Sequence, residues 1–199
     1  LHSSAASDVY KRQPLLHVAK YNNKFSIKIF LCFYLTFLIW NIIATSWLYY
    51  ASLGGVLFAV LVNSLLMTIV FSLFFIVSKK INSKLSLIFL VSFWLCFEKF
   101  HLMWDFSWPW LNIGNVFSEK TEWIQWYEYT GSFGGTLWVL LTNILIYKVF
   151  LSTIYNEKSR FLIVSVILVI IVPVIISKII LNNLDIEEEP IDVFIIQPN

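Results

Sequence analysis

The sequence predicts an all-α polytopic membrane protein, a helical bundle with about five transmembrane helices. Of its 199 residues, 59% are hydrophobic and only 13% are charged, and the mean hydropathy is +0.77. A soluble domain carries about 25% charged residues. The run from Ile29 to Ser78 contains no charged residue, whereas about 20 apolar residues suffice for one crossing. Most of the chain is therefore expected in lipid, and its scattered basic residues and net charge of +2 argue against nucleic-acid binding.

Five apolar segments account for the predicted crossings. The uncharged run 29–78 is long enough for two helices, and Gly54 and Gly55 predict a turn between them because glycine adopts the backbone angles that tight turns need. Pro173 predicts a kink in the last segment. The predicted helices span about 29–50, 56–77, 81–100, 131–147 and 161–181.

Basic residues predict the orientation of the bundle, because short loops rich in lysine and arginine stay in the cytoplasm. They cluster before the first span, between the second and third, and between the fourth and fifth: Lys20, Lys24, Lys28, Lys79, Lys80, Lys84, Lys148, Lys158 and Arg160. Acidic residues dominate the alternate segments. We therefore expect the loop 101–130 and the C-terminal end on the outer side of the membrane.

The two ends of the chain differ in composition from the spans. Residues 1–20 are polar and lack the basic start and apolar core of a secretory signal, so we expect a non-native or disordered stretch, with residues 1–13 resembling translated cloning sequence. The membrane domain is predicted to cover 21–184. Residues 185–190 then form an acidic linker, and 191–199 begin with the β-branched composition of a buried strand, which predicts the start of a truncated second domain.

Most of the nine tryptophans surround the loop that follows the third predicted span. Indole rings favour the headgroup level of a bilayer, so an aromatic belt is one interpretation. The ring density around Pro109 favours a rigid lining instead, because proline ends the helix and fixes the backbone. Further along, Trp123, Trp126 and Tyr127 fall at i, i+3 and i+4 and predict a short helix lying in the interface.

Polar residues near or within the spans are the other candidates for function. Glu98, His101 and Asp105 are spaced i, i+3 and i+7, which places them on one face if the third helix continues. Two carboxylates and an imidazole could bind a metal or relay a proton. No fourth ligand is spaced nearby, and a helix leaving the membrane acquires polar groups in any case, so we assign this polar cluster no metal.

Asparagines and glycines within the spans indicate helix contacts. The three asparagines Asn41, Asn63 and Asn143 are expected to hydrogen-bond between helices. Gly131 and Gly135 have the spacing that permits close helix approach, and a turn explains them equally well. No nucleotide-binding, P-loop, zinc or serine-nucleophile motif is present.

Several distinctive residue runs follow one another along the chain. They are Trp40-Asn41, Trp47, Asn63-Ser64-Leu65-Leu66-Met67, Phe97-Glu98, Trp108-Pro109-Trp110-Leu111 with Gly114, Gln125-Trp126-Tyr127-Glu128-Tyr129-Thr130-Gly131, Gly134-Gly135-Thr136-Leu137-Trp138 and Asn143. This series resembles the membrane domain of the bacterial apolipoprotein N-acyltransferases, in a Bacteroidetes-like version. Residues 191–199 are similar to the first strand of the family's α/β nitrilase-like (carbon-nitrogen hydrolase) domain. One departure is Ser107-Trp108-Pro109-Trp110, where many members have Gly-Phe-Pro-Trp.

The resemblance implies an acyltransferase of lipoprotein biosynthesis in the bacterial inner membrane. It would transfer an acyl chain from a phospholipid to the α-amino group of the S-diacylglyceryl-cysteine at the N-terminus of an apolipoprotein, without a cofactor. In the family, a Glu-Lys-Cys triad of the nitrilase-like domain performs this reaction. The resemblance places none of the three residues in this chain, so we assign no catalytic residue and expect this fragment alone to be inactive.

By the same resemblance, the membrane domain would hold the catalytic domain at the outer leaflet and line a lateral access route for both lipid substrates. The candidate lining residues are Trp104, Trp108, Pro109, Trp110, Trp123 and Trp126. The alternatives are a fragment of a polytopic transporter and a membrane scaffold whose aromatic outer loop binds a partner. A transporter is expected to have charged or broken helices at the midplane, and here only Pro173 interrupts a span.

Overall fold

The computed structural model describes residues 12–50, 53–107, 109–156 and 159–183. Every regular element within these ranges is helical. The helices are α1 (Arg12–Tyr21), α2 (Ile27–Thr45), α3 (Leu53–Ser78), α4 (Ser83–Met103), α5 (Tyr127–Ile154) and α6 (Arg160–Asn182), and short 3₁₀ turns cover Ser46–Tyr50, Pro109–Leu111, Ile113–Phe117 and Thr121–Trp123. The predicted linker 185–190 and the predicted strand at 191–199 lie outside the described residues.

Five of these helices are long and apolar enough to cross a membrane, which confirms the predicted number of crossings. They are α2 with the first residues of the following 3₁₀ turn, and α3 to α6. Side chains fix where two of them begin: Ser26 Oγ accepts from the Ile29 amide (3.4 Å), and Asn82 Oδ1 accepts from the Leu85 amide (2.9 Å). Such caps satisfy amides that lack a partner within the helix.

Two predicted boundaries differ from the structure. Gly54 and Gly55 lie in the first turn of α3 rather than in a turn between helices, and the chain reverses around the 3₁₀ turn at Ser46–Tyr50. The helix predicted for 131–147 extends from Tyr127 to Ile154. It passes Lys148 because a lysine near the membrane boundary can extend its charged end into water without ending the helix.

Residues 12–20, for which we expected a non-native or disordered stretch, belong to helix α1. Leu15, Leu16 and Ala19 are buried in the main hydrophobic core. Lys79 Nζ donates to the Ala19 carbonyl (2.7 Å), which satisfies an oxygen at the end of the helix. The hydroxyl of Tyr21 is 2.6 Å from that of Tyr155, and this hydrogen bond raises the pKa of Tyr21. Residues 1–11 lie outside the described residues.

Aromatic rings join α2, α3 and α4 in the core of the bundle. Phe71 has ring contacts with Phe33 (5.9 Å between centroids), Phe37 (5.4 Å) and Trp94 (5.9 Å). Asn63 Nδ2 donates to Asn41 Oδ1 (2.7 Å), which confirms a hydrogen bond between helices for this pair. Asn143 instead donates to Val139 of its own helix (2.8 Å), so the same expectation is wrong for Asn143.

Helix α6 lies at the edge of the bundle and is joined to α5 by an unusual hydrogen bond. Pro173 has no amide hydrogen, so the Val169 carbonyl four residues earlier loses its donor within the helix. Trp138 Nε1 of α5 donates to that carbonyl (2.6 Å). A neighbouring helix thus satisfies the backbone group that the proline leaves without a partner, as lipid requires.

Candidate functional site

Glu98 organises the end of the bundle at which α4 stops. Its side chain is only 4% exposed. Oε1 accepts from Trp94 Nε1 (3.0 Å) and from the Ile113 amide (3.0 Å), and Oε2 accepts from Thr136 Oγ1 (2.6 Å). A buried carboxylate needs such donors because its transfer out of water is otherwise costly. Glu98 therefore connects α4, the segment after it and α5.

Asn112 and Thr136 complete this network, and we call Glu98, Asn112 and Thr136 the polar corner. Asn112 Oδ1 accepts from the Gly114 amide (3.0 Å), which caps the 3₁₀ turn that begins at Ile113. Thr136 Oγ1 also accepts from that amide (3.0 Å) and lies 2.9 Å from Asn112 Oδ1. The backbone around Gly114 is thereby fixed to the first buried turn of α5.

Two glycines allow this close approach. A Cβ on Gly114 would overlap the Ser132 carbonyl, and a Cβ on Gly135 would overlap the Tyr127 hydroxyl. That hydroxyl donates to the Gly114 carbonyl (2.9 Å). Gly131 has a positive φ of 63° and bends α5 near its start. The sequence left open whether these glycines allow a turn or close helix packing. The structure shows that Gly131 allows a turn and that Gly135 allows close packing.

The three residues Glu98, His101 and Asp105 do not converge. Helix α4 ends at Met103 and the backbone of Trp104 is extended, so Asp105 leaves the helical face that the spacing assumed. Asp105 is exposed, whereas Glu98 and His101 are buried. Among the described residues, no group of three or more His, Cys, Asp or Glu side chains could hold a metal ion. Glu98 instead holds the loop in place.

A cavity of about 220 Å³ lies beside the polar corner, between the start of α3 and the end of α4, and we call it the outer cavity. Asn63, His101 and Trp104 form its polar wall, and the rings of Phe58 and Phe106 (5.3 Å between centroids) contribute to its apolar side. A space of only about 10 Å³, enough for about one water molecule, lies where Asn63, His101 and Glu98 meet. The spacing of residues in the sequence did not predict that Asn63 and His101 line the same cavity.

The predicted lining residues separate in the structure. Trp104 lines the outer cavity, and Trp123 lines a second, apolar space of about 600 Å³ between α5 and α6. Trp126 donates to the Trp123 carbonyl (3.1 Å) and lies edge-on to Trp138 (5.8 Å). Pro109 is exposed and begins a 3₁₀ turn. Trp108 and the side chain of Trp110 lie outside the described residues, and a role of any of these residues in lipid access stays a prediction.

The short interfacial helix predicted from Trp123, Trp126 and Tyr127 is wrong. Thr121–Trp123 is a 3₁₀ turn, and Tyr127 is the first residue of α5. The hydrogen bond from Tyr127 to Gly114 turns this side chain toward the protein. Asn112 and Thr136 were missed by the spacing argument, although an Asn two residues before a Gly is a turn signal and a Thr in an apolar span is typical of a helix contact.

These features define a polytopic helical membrane protein in which a buried carboxylate fixes the segment between α4 and α5 to both of these spans. The family model described as "Apolipoprotein N-acyltransferase N-terminal domain" matches residues 12–145, which include α1 to α4 and most of α5. The chain therefore belongs to the apolipoprotein N-acyltransferase N-terminal domain family. The match includes the polar corner and both glycines of the close approach.

A curated relative is consistent with this family. The apolipoprotein N-acyltransferase of Chlorobaculum tepidum is 24% identical over 168 residues, which cover 83% of this chain and 32% of the relative. The chain thus spans about a third of that protein's length. No solved structure matches the chain.

Proposed function

We propose that this chain is the membrane portion of an apolipoprotein N-acyltransferase. The whole enzyme would transfer an acyl chain from a phospholipid to the α-amino group of the S-diacylglyceryl-cysteine at the N-terminus of an apolipoprotein, a step in lipoprotein maturation. Membership of the family and the name of the Chlorobaculum tepidum relative support this proposal. Because the chain spans about a third of that relative, we assign the reacting groups to the remaining portion.

The chemistry implied by the family resemblance takes place in two steps. A cysteine thiolate attacks the ester carbonyl of the phospholipid, the lysophospholipid leaves with a proton, and an acyl thioester remains. The amine of the acceptor then attacks the thioester, gives up a proton and regenerates the thiol. A glutamate would act as the base and a lysine would stabilise the oxyanion. Cys32 and Cys96 are exposed residues of α2 and α4, and we give neither this role.

We place the protein in the bacterial cytoplasmic membrane, with the polar corner and the outer cavity near the outer surface. The lysines between α3 and α4 (Lys79, Lys80 and Lys84) support this orientation, since such loops stay in the cytoplasm. A phosphatase fused after Asn199 should be active, because the proposed orientation puts that end outside. Activity of the fusion only in the cytoplasm would contradict it.

The polar corner is the observation that carries the functional role. It holds the backbone at Ile113 and Gly114 against α4 and α5, and we propose that the segment 104–126 lies at the membrane surface, positions the catalytic domain and lines the access route for lipid. Rigid placement is what acyl transfer requires, because reacting groups must be held within a few tenths of an ångström of the productive geometry. The role of the chain is therefore positioning, with catalysis supplied by groups outside it.

A chimera tests the proposal. The matching segment of the Chlorobaculum tepidum relative is replaced by this chain, and the chimera is expressed in bacteria depleted of their own N-acyltransferase. We expect conversion of diacylated to N-acylated lipoprotein, measured by mass spectrometry of lipopeptides, and no conversion by the 199-residue chain alone. Membrane insertion and thermal stability are measured in parallel. A stable, inserted chimera without conversion would contradict the proposal, as would conversion by the chain alone.

A further inference from the structure

We propose that the apolar space between α5 and α6, which we call the α5–α6 cleft, binds a phospholipid of net negative charge. One acyl chain lies between the two helices, and the phosphate contacts Lys178. The lipid is a resident of the cleft rather than a substrate, so the proposal does not depend on the proposed acyl transfer. It rests on the lining of the cleft, on its opening toward the membrane and on the lysine at one end.

The α5–α6 cleft has the size and lining of a site for a hydrocarbon chain. Its volume of about 600 Å³ falls within the range of about 300 to 1,000 Å³ that is typical of ligand sites. Helix α5 lines it between Trp138 and Ile146, and α6 lines it between Ile170 and Lys178. Each stretch rises about 12 Å along its helix. All described lining residues of α6 except Lys178 are isoleucine or valine.

The polar groups in the wall of the cleft already have partners within the protein. Trp138 Nε1 donates to the Val169 carbonyl (2.6 Å), and the Thr142 hydroxyl donates to the Trp138 carbonyl (2.8 Å). Neither donor therefore needs a hydrogen bond from an occupant. A polar molecule would lose its hydration here and gain little in return, whereas an acyl chain loses nothing.

The cleft opens toward the bilayer. Ile171 and Ile175 are 47% and 50% exposed and belong to a membrane span, so their exposed surface faces lipid. Trp138 and Val139 are buried and form the inner wall. A phospholipid can therefore enter sideways from its own leaflet and place an acyl chain between the helices.

Lys178 supplies a positive charge at one end of the cleft. It is the only charged side chain among the described lining residues, and it lies four residues before the end of α6 at Asn182. A lysine near the end of a span extends its ammonium group to the level of the lipid headgroups. No ion pair of Lys178 occurs within the part of the chain that the structure describes. A lipid phosphate can serve as its counter-ion and accept a charge-assisted hydrogen bond.

Two aromatic rings support this placement of the headgroup. Phe117 and Trp123 line the cleft, with 6.5 Å between their ring centroids. Both belong to the segment between α4 and α5, which lies on the side of the bundle at which α6 ends. Tryptophan rings favour the headgroup level of a bilayer. The charged end of the cleft is therefore the end at which a phosphate would lie.

The charges around the cleft favour a headgroup of net negative charge. None of the described lining residues is an aspartate or a glutamate. A choline or ethanolamine headgroup would bring a second cation near Lys178 without a carboxylate to neutralise it, and like charges repel. Phosphatidylglycerol carries no such cation. One lysine near a membrane surface favours an anionic lipid over a neutral one about 5-fold.

Two photoactivatable lipids test the proposal in one sample. One is phosphatidylglycerol and the other is phosphatidylcholine, and both carry a diazirine in identical acyl chains. They are added in equal, small amounts to phosphatidylcholine nanodiscs that contain the full 199-residue chain. Mass spectrometry locates the adducts. Within residues 138–146 and 170–178, phosphatidylglycerol adducts should exceed phosphatidylcholine adducts about 5-fold.

The exposed face of α2 provides an internal reference. Ile39, Ile42 and Ile43 are each more than half exposed and lie near the end of α2, on the side of the membrane at which α6 also ends. No lysine or arginine occurs between residues 29 and 78. The two probes should therefore label this face equally. Because both ratios come from the same molecules, differences in reconstitution cancel.

Matched substitutions identify the group responsible. Lys178→Met keeps a long side chain and removes the charge, so the 5-fold preference within the cleft should disappear, whereas Lys178→Arg should retain it. Lys120→Met is the control and should leave the preference unchanged, because Lys120 is an exposed lysine of the segment between α4 and α5 that does not line the cleft. Val174→Trp fills the cleft and should lower the adducts of both lipids within residues 138–146 relative to α2.

Three results would overturn the proposal. Equal labelling of the cleft by both lipids would show that another group neutralises Lys178, such as the acidic residues 185 and 187–189, which lie outside the described residues. A preference that survives Lys178→Met would show that this charge does not select the lipid. Absence of adducts in the cleft alongside normal labelling of α2 would show that another helix or a second copy of the chain covers it. None of these results bears on acyl transfer, which the chimera tests separately.

Discussion

Helices α3 and α6 are both strongly apolar, but only α3 is largely buried by the other helices of the bundle. Their most apolar windows have mean hydropathies of 2.5 and 3.0, but 56% of the α3 window is buried inside the bundle against 6% of the α6 window. Helix α3 buries polar side chains such as Asn63, Ser64 and Thr68, whereas α6 buries only Ser177 among its described residues. Apolar content does not decide packing in a membrane, because lipid is as apolar as leucine. Helix packing in a membrane depends instead on small residues, which allow close approach, and on polar residues, which hydrogen-bond between helices.

The largest effect is expected at Glu98, where polar contacts hold the packed region together. Glu98→Ala would remove the acceptor of Trp94 Nε1 and of the Ile113 amide, whereas the Thr136 hydroxyl can still donate to Asn112 Oδ1. We expect a loss of about 3 kcal/mol in the free energy of unfolding, roughly 1.5 kcal/mol for each of the two buried donors that lose this acceptor. Unfolding titrations in bicelles measure it. Glu98→Gln keeps an acceptor oxygen and should lose less than half as much; equal losses would contradict the network.

The next effect compares two phenylalanines of opposite exposure. Phe71 of α3 is 0% exposed and Phe161 of α6 is 82% exposed. Phe71→Ala should cost about 2 kcal/mol, below the value for soluble cores, because in lipid only the cavity and lost packing remain as penalties. Phe161→Ala should change the unfolding free energy by less than about 0.5 kcal/mol. Similar losses from both substitutions would remove the distinction between the two helices.

A smaller effect is expected where glycine permits close packing at the polar corner. Gly114→Ala places a methyl group against the Ser132 carbonyl and should cost about 1 to 2 kcal/mol as the backbone shifts. Limited proteolysis within 104–126 should become faster at the same time. The matched control is Gly54→Ala, since a Cβ at Gly54 meets no atom within 4 Å. If Gly54→Ala is equally harmful, close approach is not the cause.

The smallest effect is expected at the bond that joins α6 to the bundle. Trp138→Phe removes the donor to the Val169 carbonyl and should cost about 0.6 kcal/mol, the mean for such bonds in membranes. Pro173→Ala restores an amide that can donate to the same carbonyl. In that background Trp138→Phe should have no measurable effect. A double-mutant cycle measured in bicelles checks this coupling, and strict additivity would show that the bond contributes nothing.

The sequence was sufficient to predict the five spans, because a lipid environment demands long apolar helices whatever their neighbours are. It was insufficient for helix α1. Leu15, Leu16 and Ala19 are buried by contacts with other helices, and the polar residues around them hide that pattern. The turn expected at Gly54 and Gly55 was wrong because glycine permits a turn without requiring one.

The candidate site was predictable only in part. Glu98 stood out as a charge at the end of a span, but its contacts Ile113 and Thr136 lie 15 and 38 residues further along the chain. Helical spacing reports neighbours on one helix and gives no information about such distant contacts. Helical spacing also grouped Asp105 with Glu98. That grouping was wrong because α4 ends at Met103, before Asp105 is reached.

The bond between Trp138 and Val169 has a further consequence for α6. A helix held only by apolar contacts can slide along its axis and rotate about it at little cost. A bond to one defined carbonyl favours one vertical position and one rotation of the helix over the others. Asn183 follows Val169 by 14 residues, a rise of about 21 Å along the helix. The height at which α6 ends is therefore set by a tryptophan of the preceding helix.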